Sequence, residues 1–137
     1  MSDSWTIEEI LSQLIRSGAI MEMATLQGDY KRNNKEGKIT TRIFKYLEKN
    51  LDLANAVLPL LFTHENVVTR TDAASYCLAL NIHVDEAVKV LEEVANDPNT
   101  RIFGFNAKMT LKVWRERGYL KIYQNQMIYS STKENNG

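Results

Sequence analysis

The sequence predicts an all-α chain: a short right-handed α–α superhelix of stacked helix pairs, about six helices in all. Three observations carry that expectation. Turn-formers are scarce, with 6 Gly and 2 Pro in 137 residues, too few for a sandwich or barrel of many short strands. Apolar residues recur at spacings of three and four through most of the chain. Residues 51–80 also align with residues 84–113 at an offset of 33, a period typical of helical-repeat arrays.

The hydrophobic fraction of 44% and charged fraction of 25% are those of a globular protein with a real core. We expect one helical domain over residues 1–129 and a flexible C-terminal tail over 130–137, which is polar throughout.

The first helix starts at a capping box, Thr6 with Glu9, and at a hydrophobic staple, Trp5 with Ile10. Ile7, Leu11, Leu14, Gly18 and Met21 follow at helical spacing, Gly18 marking either a close helix crossing or a break. Gly28-Asp29 reads as a turn and a new cap. The polar run Lys31–Lys35 suits either a loop or a solvated helix face. Beyond it, Ile39, Ile43, Phe44 and Leu47 share one face up to about Asn50.

The repeat then follows. Asp52 matches Asp85, Ala54 matches Ala87, Val57 matches Val90 and Leu58 matches Leu91. Leu61 matches Val94, Asn66 matches Asn99, Ala74 matches Ala107 and Leu78 matches Leu111. Each unit is expected to hold an Asp cap, an apolar helix, a polar turn and a second helix with a small residue at a close contact. Pro59 predicts a bend or a late start, because a proline inside a helix removes a hydrogen bond. The last helix is expected from about Ile102 to Arg117, stopped by Gly118. Residues 119–129 keep enough apolar side chains to dock on the rest.

Leu91–Asn99, leading into a helix with Ala107 and Leu111, resembles a HEAT-type repeat junction, as does Leu58–Leu61 leading to Ala73 and Ala74. More narrowly, Phe105–Trp114 is similar to the closing helix of the bacterial family of unknown function DUF2019. That resemblance implies a HEAT/armadillo-like superhelix over about residues 6–118. It implies no activity and no functional residues. The chain departs from the HEAT pattern at the start of the second helix, where Thr69, not Arg, follows Val68.

Formal charge balances at zero, with 17 basic and 17 acidic residues, which weighs against a dedicated nucleic-acid binder. Charge is nevertheless segregated: residues 29–49 hold seven bases and three acids, residues 50–100 eight acids and two bases. Oppositely charged helix faces lying side by side explain this most simply, and an acidic patch for a basic partner explains it more sharply.

Chemistry is sparse. His64 and His83 fall in turns without a metal-ligand cluster, and Cys77 sits at an inward helical position where a thiol is inert. No Gly-rich phosphate loop is present, and the adjacent acids Asp85-Glu86 and Glu92-Glu93 point about 100° apart on a helix. Met21, Met23 and Met109 read as core filler, Trp5 and Trp114 as packing at the two ends. No cofactor and no metal are expected.

The expected function is therefore a non-catalytic protein–protein interaction module. Its concrete form is an inhibitor or immunity protein for a basic toxin. The expected contact is Glu86, Lys89 and Glu93, pushed outward by the apolar face of their helix and facing a concave wall. The alternatives are a HEAT-like enzyme acting on nucleic acid and a structural homo-oligomer using Tyr119–Tyr129. The partner is expected to be another protein, with neither nucleic acid nor membrane, and the chain a monomer or weak homodimer. A polar start, a lone Cys and no long apolar run point to the cytoplasm.

Overall fold

The computed structural model of the chain describes residues 4–129, so the expected tail at 130–137 lies outside the described residues. Six α-helices and two short 3-10 turns account for the regular structure, and no strand occurs among the described residues. They are α1 (Ile7–Gln27), α2 (Tyr30–Glu48), α3 (Leu51–Val57), α4 (Val67–Leu80), α5 (Val84–Asn96) and α6 (Ile102–Arg117). The 3-10 turns are Leu58–Leu61 and Pro98–Thr100.

The boundaries follow from local chemistry. Thr6 caps α1 through the reciprocal box with Glu9, its side chain accepting from the Glu9 N–H at 3.1 Å while Glu9 accepts from the Thr6 N–H at 2.9 Å. Gly28 closes α1 at φ +70°, a left-handed conformation that glycine adopts without steric cost. Asp29 then caps α2, accepting from the Arg32 N–H at 3.1 Å. The polar run 31–35 is thus helical.

Two expected caps are corrected. Helices α3 and α5 begin one residue before Asp52 and Asp85, so these acids lie in the first turn, not at the cap. There they still face the positive end of the helix dipole. Asn50 and His83 occupy the cap positions, neither with a side-chain cap bond, and His83 takes a positive φ of 46°. Pro59 acts as its chemistry requires. Helix α3 ends at Val57, and the proline sits near the start of the 3-10 turn, where its missing N–H is not needed.

The repeat is real in the secondary structure. Leu51 and Val84 start α3 and α5, an offset of 33, and every matched apolar pair is buried in both copies. The units differ in two places: Leu58–Leu61 is a 3-10 turn where the equivalent residues continue α5, and Asn66 caps α4, whereas Asn99 lies inside a 3-10 turn and α6 starts after Arg101.

Helix α4 is the centre. It packs against α1, α5 and α6, while α1 packs against α2 and α5 against α6. Ten of its 14 residues are buried, so it is apolar on nearly every side, as a helix enclosed by neighbours must be. The crossing with α1 passes over Gly18, which resolves that glycine as a close contact. A Cβ there would collide with the Thr69 side chain. The Asn66 amide also donates to Glu22 of α1 at 2.9 Å. Between α1 and α2, a buried chain runs from the Gln13 amide to the Ser17 hydroxyl (2.9 Å) and from that hydroxyl to Glu36 (2.8 Å).

Residues 119–129 form an irregular segment docked on the helices, with Leu120, Ile122, Tyr123 and Tyr129 against the core. Gln126, only 4% exposed, holds it by accepting from the Ile122 N–H and donating to the carbonyls of Leu120 (3.3 Å) and Ala79 (3.4 Å). Tyr123 donates to Glu48 at 2.6 Å, meets Phe44 edge-on and lies under the Lys45 ammonium.

Candidate functional site

The inner faces of the helices meet at a cleft of about 290 Å³. Thr25 of α1 and Asn33 of α2 form one rim; Asn106 and Thr110 of α6 form the other. Thr71, Asp72 and Ser75 of α4 lie between them, and Met21, Val68, Leu91 and Phe103 supply apolar wall. Five helices contribute. Asp72 belongs here because α4 turns about 100° per residue: Ala73, Ala74, Tyr76 and Cys77 are buried, which leaves Thr71, Asp72 and Ser75 on the half-buried stripe.

Among the described residues, Asp72 is the only charged one lining the cleft. It makes no ion pair and no hydrogen bond among the described residues. The one base on the same helix, Arg70, is spent on the carbonyls of His64 (2.9 Å) and Glu65 (3.1 Å). Part of Asp72 opens into the cleft, yet burial pushes its carboxyl from an ordinary 3.8 to about 7. One turn on, burial and then the Asp72 charge push the Tyr76 phenol up, against a hydrogen bond with Thr40.

Three other polar groups of the cleft already spend protons elsewhere. The Thr71 hydroxyl donates to the Val68 carbonyl at 3.2 Å and the Thr110 hydroxyl to the Asn106 carbonyl at 3.0 Å. The Asn33 amide donates to the Thr25 hydroxyl at 3.0 Å, fastening α2 to α1. With these protons spent, lone pairs are what the two α4 and α6 threonines have left to offer. The cleft is rich in acceptors.

Beside it, sharing Asn33, runs a wider concavity of about 600 Å³ along α2. Lys38, Arg42 and Lys45 line it, spaced along one helix face.

The sequence-expected contact lies elsewhere. Glu86, Lys89 and Glu93 are all exposed, and none of them lines the cleft. Leu91 is the residue by which α5 reaches the cleft, and positions 86, 89 and 93 fall roughly 140–160° around the helix from it. Glu86 approaches His83 Nδ1 at 3.2 Å, and the same imidazole reaches the Asn55 carbonyl at 3.2 Å, linking α5 to α3. Glu92 is paired with Arg115 of α6 at 2.7 Å.

The remaining candidates are accounted for by structure. Cys77 is fully buried, and burial pushes its thiol up to about 12, far from a reactive thiolate. His64 accepts from the Asn66 N–H at 3.0 Å within its turn. No group of metal-ligating side chains occurs among the described residues, and no described helix is long and apolar enough to cross a membrane. Two methionines correct the core expectation: Met23 (50%) and Met109 (39%) are exposed, because each falls on the outer side of its helix, while Met21 packs inward. Trp5 and Trp114 are half-buried against the core.

Comparison of the chain with protein-family models, with curated proteins and with solved structures finds no match in any of the three.

Proposed function

We propose that the chain is a non-catalytic protein-binding module, a HEAT-like stack of three helix pairs similar to DUF2019, working in the reducing cytoplasm and receiving a basic partner. One observation carries it: five helices converge on a cleft whose single charged group among the described residues, Asp72, has no counter-ion among them. A carboxylate held in that way costs stability unless something else supplies the charge. The exposed acids Glu86 and Glu93 add negative charge on a second side, suiting the approach of a basic protein such as a toxin masked by its inhibitor.

The test is partner capture followed by association kinetics at two salt concentrations. A basic partner, slowed by salt and slowed further by Glu86→Lys with Glu93→Lys, supports the reading. Salt-dependent binding of duplex DNA, seated on the Lys38–Arg42–Lys45 face, would contradict it in favour of a nucleic-acid role.

A second reading, the homo-oligomer, is favoured by a different surface from the one its sequence basis named. The segment 119–129 is largely spent on its own chain, but Ile102 (45%), Phe105 (57%) and Met109 stand exposed along α6. Sedimentation showing a stable oligomer of the chain alone would support this reading.

A further inference from the structure

We propose that the cleft between α4 and α6 is a receptor for one arginine side chain of a partner protein, with Asp72 as its counter-ion. The inference rests on the protein-binding reading and names the group recognised. Size, chemistry and electrostatics each select it.

A volume of about 290 Å³ lies at the small end of the roughly 300–1,000 Å³ typical of small-molecule sites, and so suits one long side chain better than a cofactor. Thr71 and Thr110 have given their hydroxyl protons to backbone carbonyls, and Asp72 offers two carboxylate oxygens, so at these three positions the occupant is met by acceptors. Those acceptors sit on two different helices. A planar fork with five N–H donors spans such a spread, whereas an ammonium is a point donor. Phe103 on the wall adds an aromatic ring, a kind of group to which the same cation is attracted. Ser75 and Asn106, which make no side-chain hydrogen bond among the described residues, are free to adjust to it.

Among the described residues, no group competes for the carboxylate. The linings from α1 (Met21, Thr25), α2 (Asn33) and α5 (Leu91), and the four residues from α6, contain no titratable side chain. On α4 itself, Tyr76 stays neutral through the physiological range and Arg70 points into the turn before the helix. A bound guanidinium therefore draws the Asp72 proton off, and binding tightens as pH rises.

The probes are N-acetylarginine methylamide, its lysine counterpart and its neutral citrulline isostere, titrated into the full chain and followed by backbone amide NMR shifts. The arginine probe is expected to shift Thr71, Asp72 and Asn106 saturably, with millimolar affinity, and about tenfold more tightly at pH 8 than at pH 6. Asp72→Asn should abolish the shifts while the remaining spectrum stays that of the folded protein. Citrulline or lysine binding as tightly as arginine, or Asp72→Asn binding like the parent, would overturn the assignment. A natural partner that ignores Asp72→Asn but is lost on charge reversal of Glu86 and Glu93 would also overturn it, while leaving the protein-binding reading intact.

Discussion

Gly18 of α1 lies hard against the side chain of Thr69 of α4, and the Thr69 hydroxyl oxygen is buried there with no hydrogen-bond partner among the described residues. The closeness of the two helices is set at this point. Gly18→Ala places a methyl on the Thr69 hydroxyl and should cost about 1–3 kcal/mol by overpacking. Thr69→Ala removes the unpartnered hydroxyl and opens the space, so the double variant should recover part of that loss. Denaturant midpoints of the two single variants and the double variant test this, with strictly additive effects arguing against the contact.

Ala74 and Ala107 are equivalent in the repeat but not in their surroundings. Ala74 is enclosed on every side, whereas Ala107 borders the cleft. Ala74→Leu is expected to cost about 1–3 kcal/mol and Ala107→Leu measurably less, because its extra carbons find the cavity. Equal losses in chemical denaturation would show that the two sites are alike.

The docked segment depends on Gln126. Replacing it with Ala strands the Ile122 N–H and should cost about 1–3 kcal/mol. Ending the chain at Gly118 should cost more, since Leu120, Ile122, Tyr123 and Tyr129 leave the core together. A truncated chain with an unchanged melting temperature would contradict the docking.

Much of the fold was legible because its signals are local. The box at Thr6, the cap at Asp29 and the stop at Gly118 each need only a few neighbouring residues, and the period of 33 needs only the chain compared with itself. Asp52 and Asp85 misled as caps because their helices gain one residue at the front, a choice made by the preceding turn. The cleft was not legible. Asp72 is the one acid of α4, a visible oddity, but only tertiary packing reveals that Arg70 turns away from it and that no other described base lines its cleft. Helical spacing placed Glu86, Lys89 and Glu93 outward, and they are exposed, but spacing does not say which outward face adjoins a cleft.

Asp72 also gives stability a pH dependence. Its folded-state value of about 7 lies above the ordinary 3.8, so between those limits the folded chain binds more protons than the unfolded one. Stability should therefore fall as pH rises from about 3.8 to about 7 and level off above that. Asp72→Asn, which cannot ionise, should be more stable than the parent by roughly 1–3 kcal/mol at pH 8, the full shift being discounted for water in the cleft. The difference should shrink as pH falls below 7 and close only near pH 3.8, where the unfolded carboxyl is protonated as well. A parent and variant with parallel profiles would place no strain on the carboxylate.

The isolation of the Asp72 carboxylate underlies both the stability effect and the binding of a cation, and it is measured most directly by following the Asp72 side-chain carboxyl carbon by NMR from pH 3 to pH 9. With no counter-ion in the cleft, the carboxyl should titrate near 7 in the free protein. A midpoint at or below 4 would mean that the group is solvated or already paired, and would contradict the site.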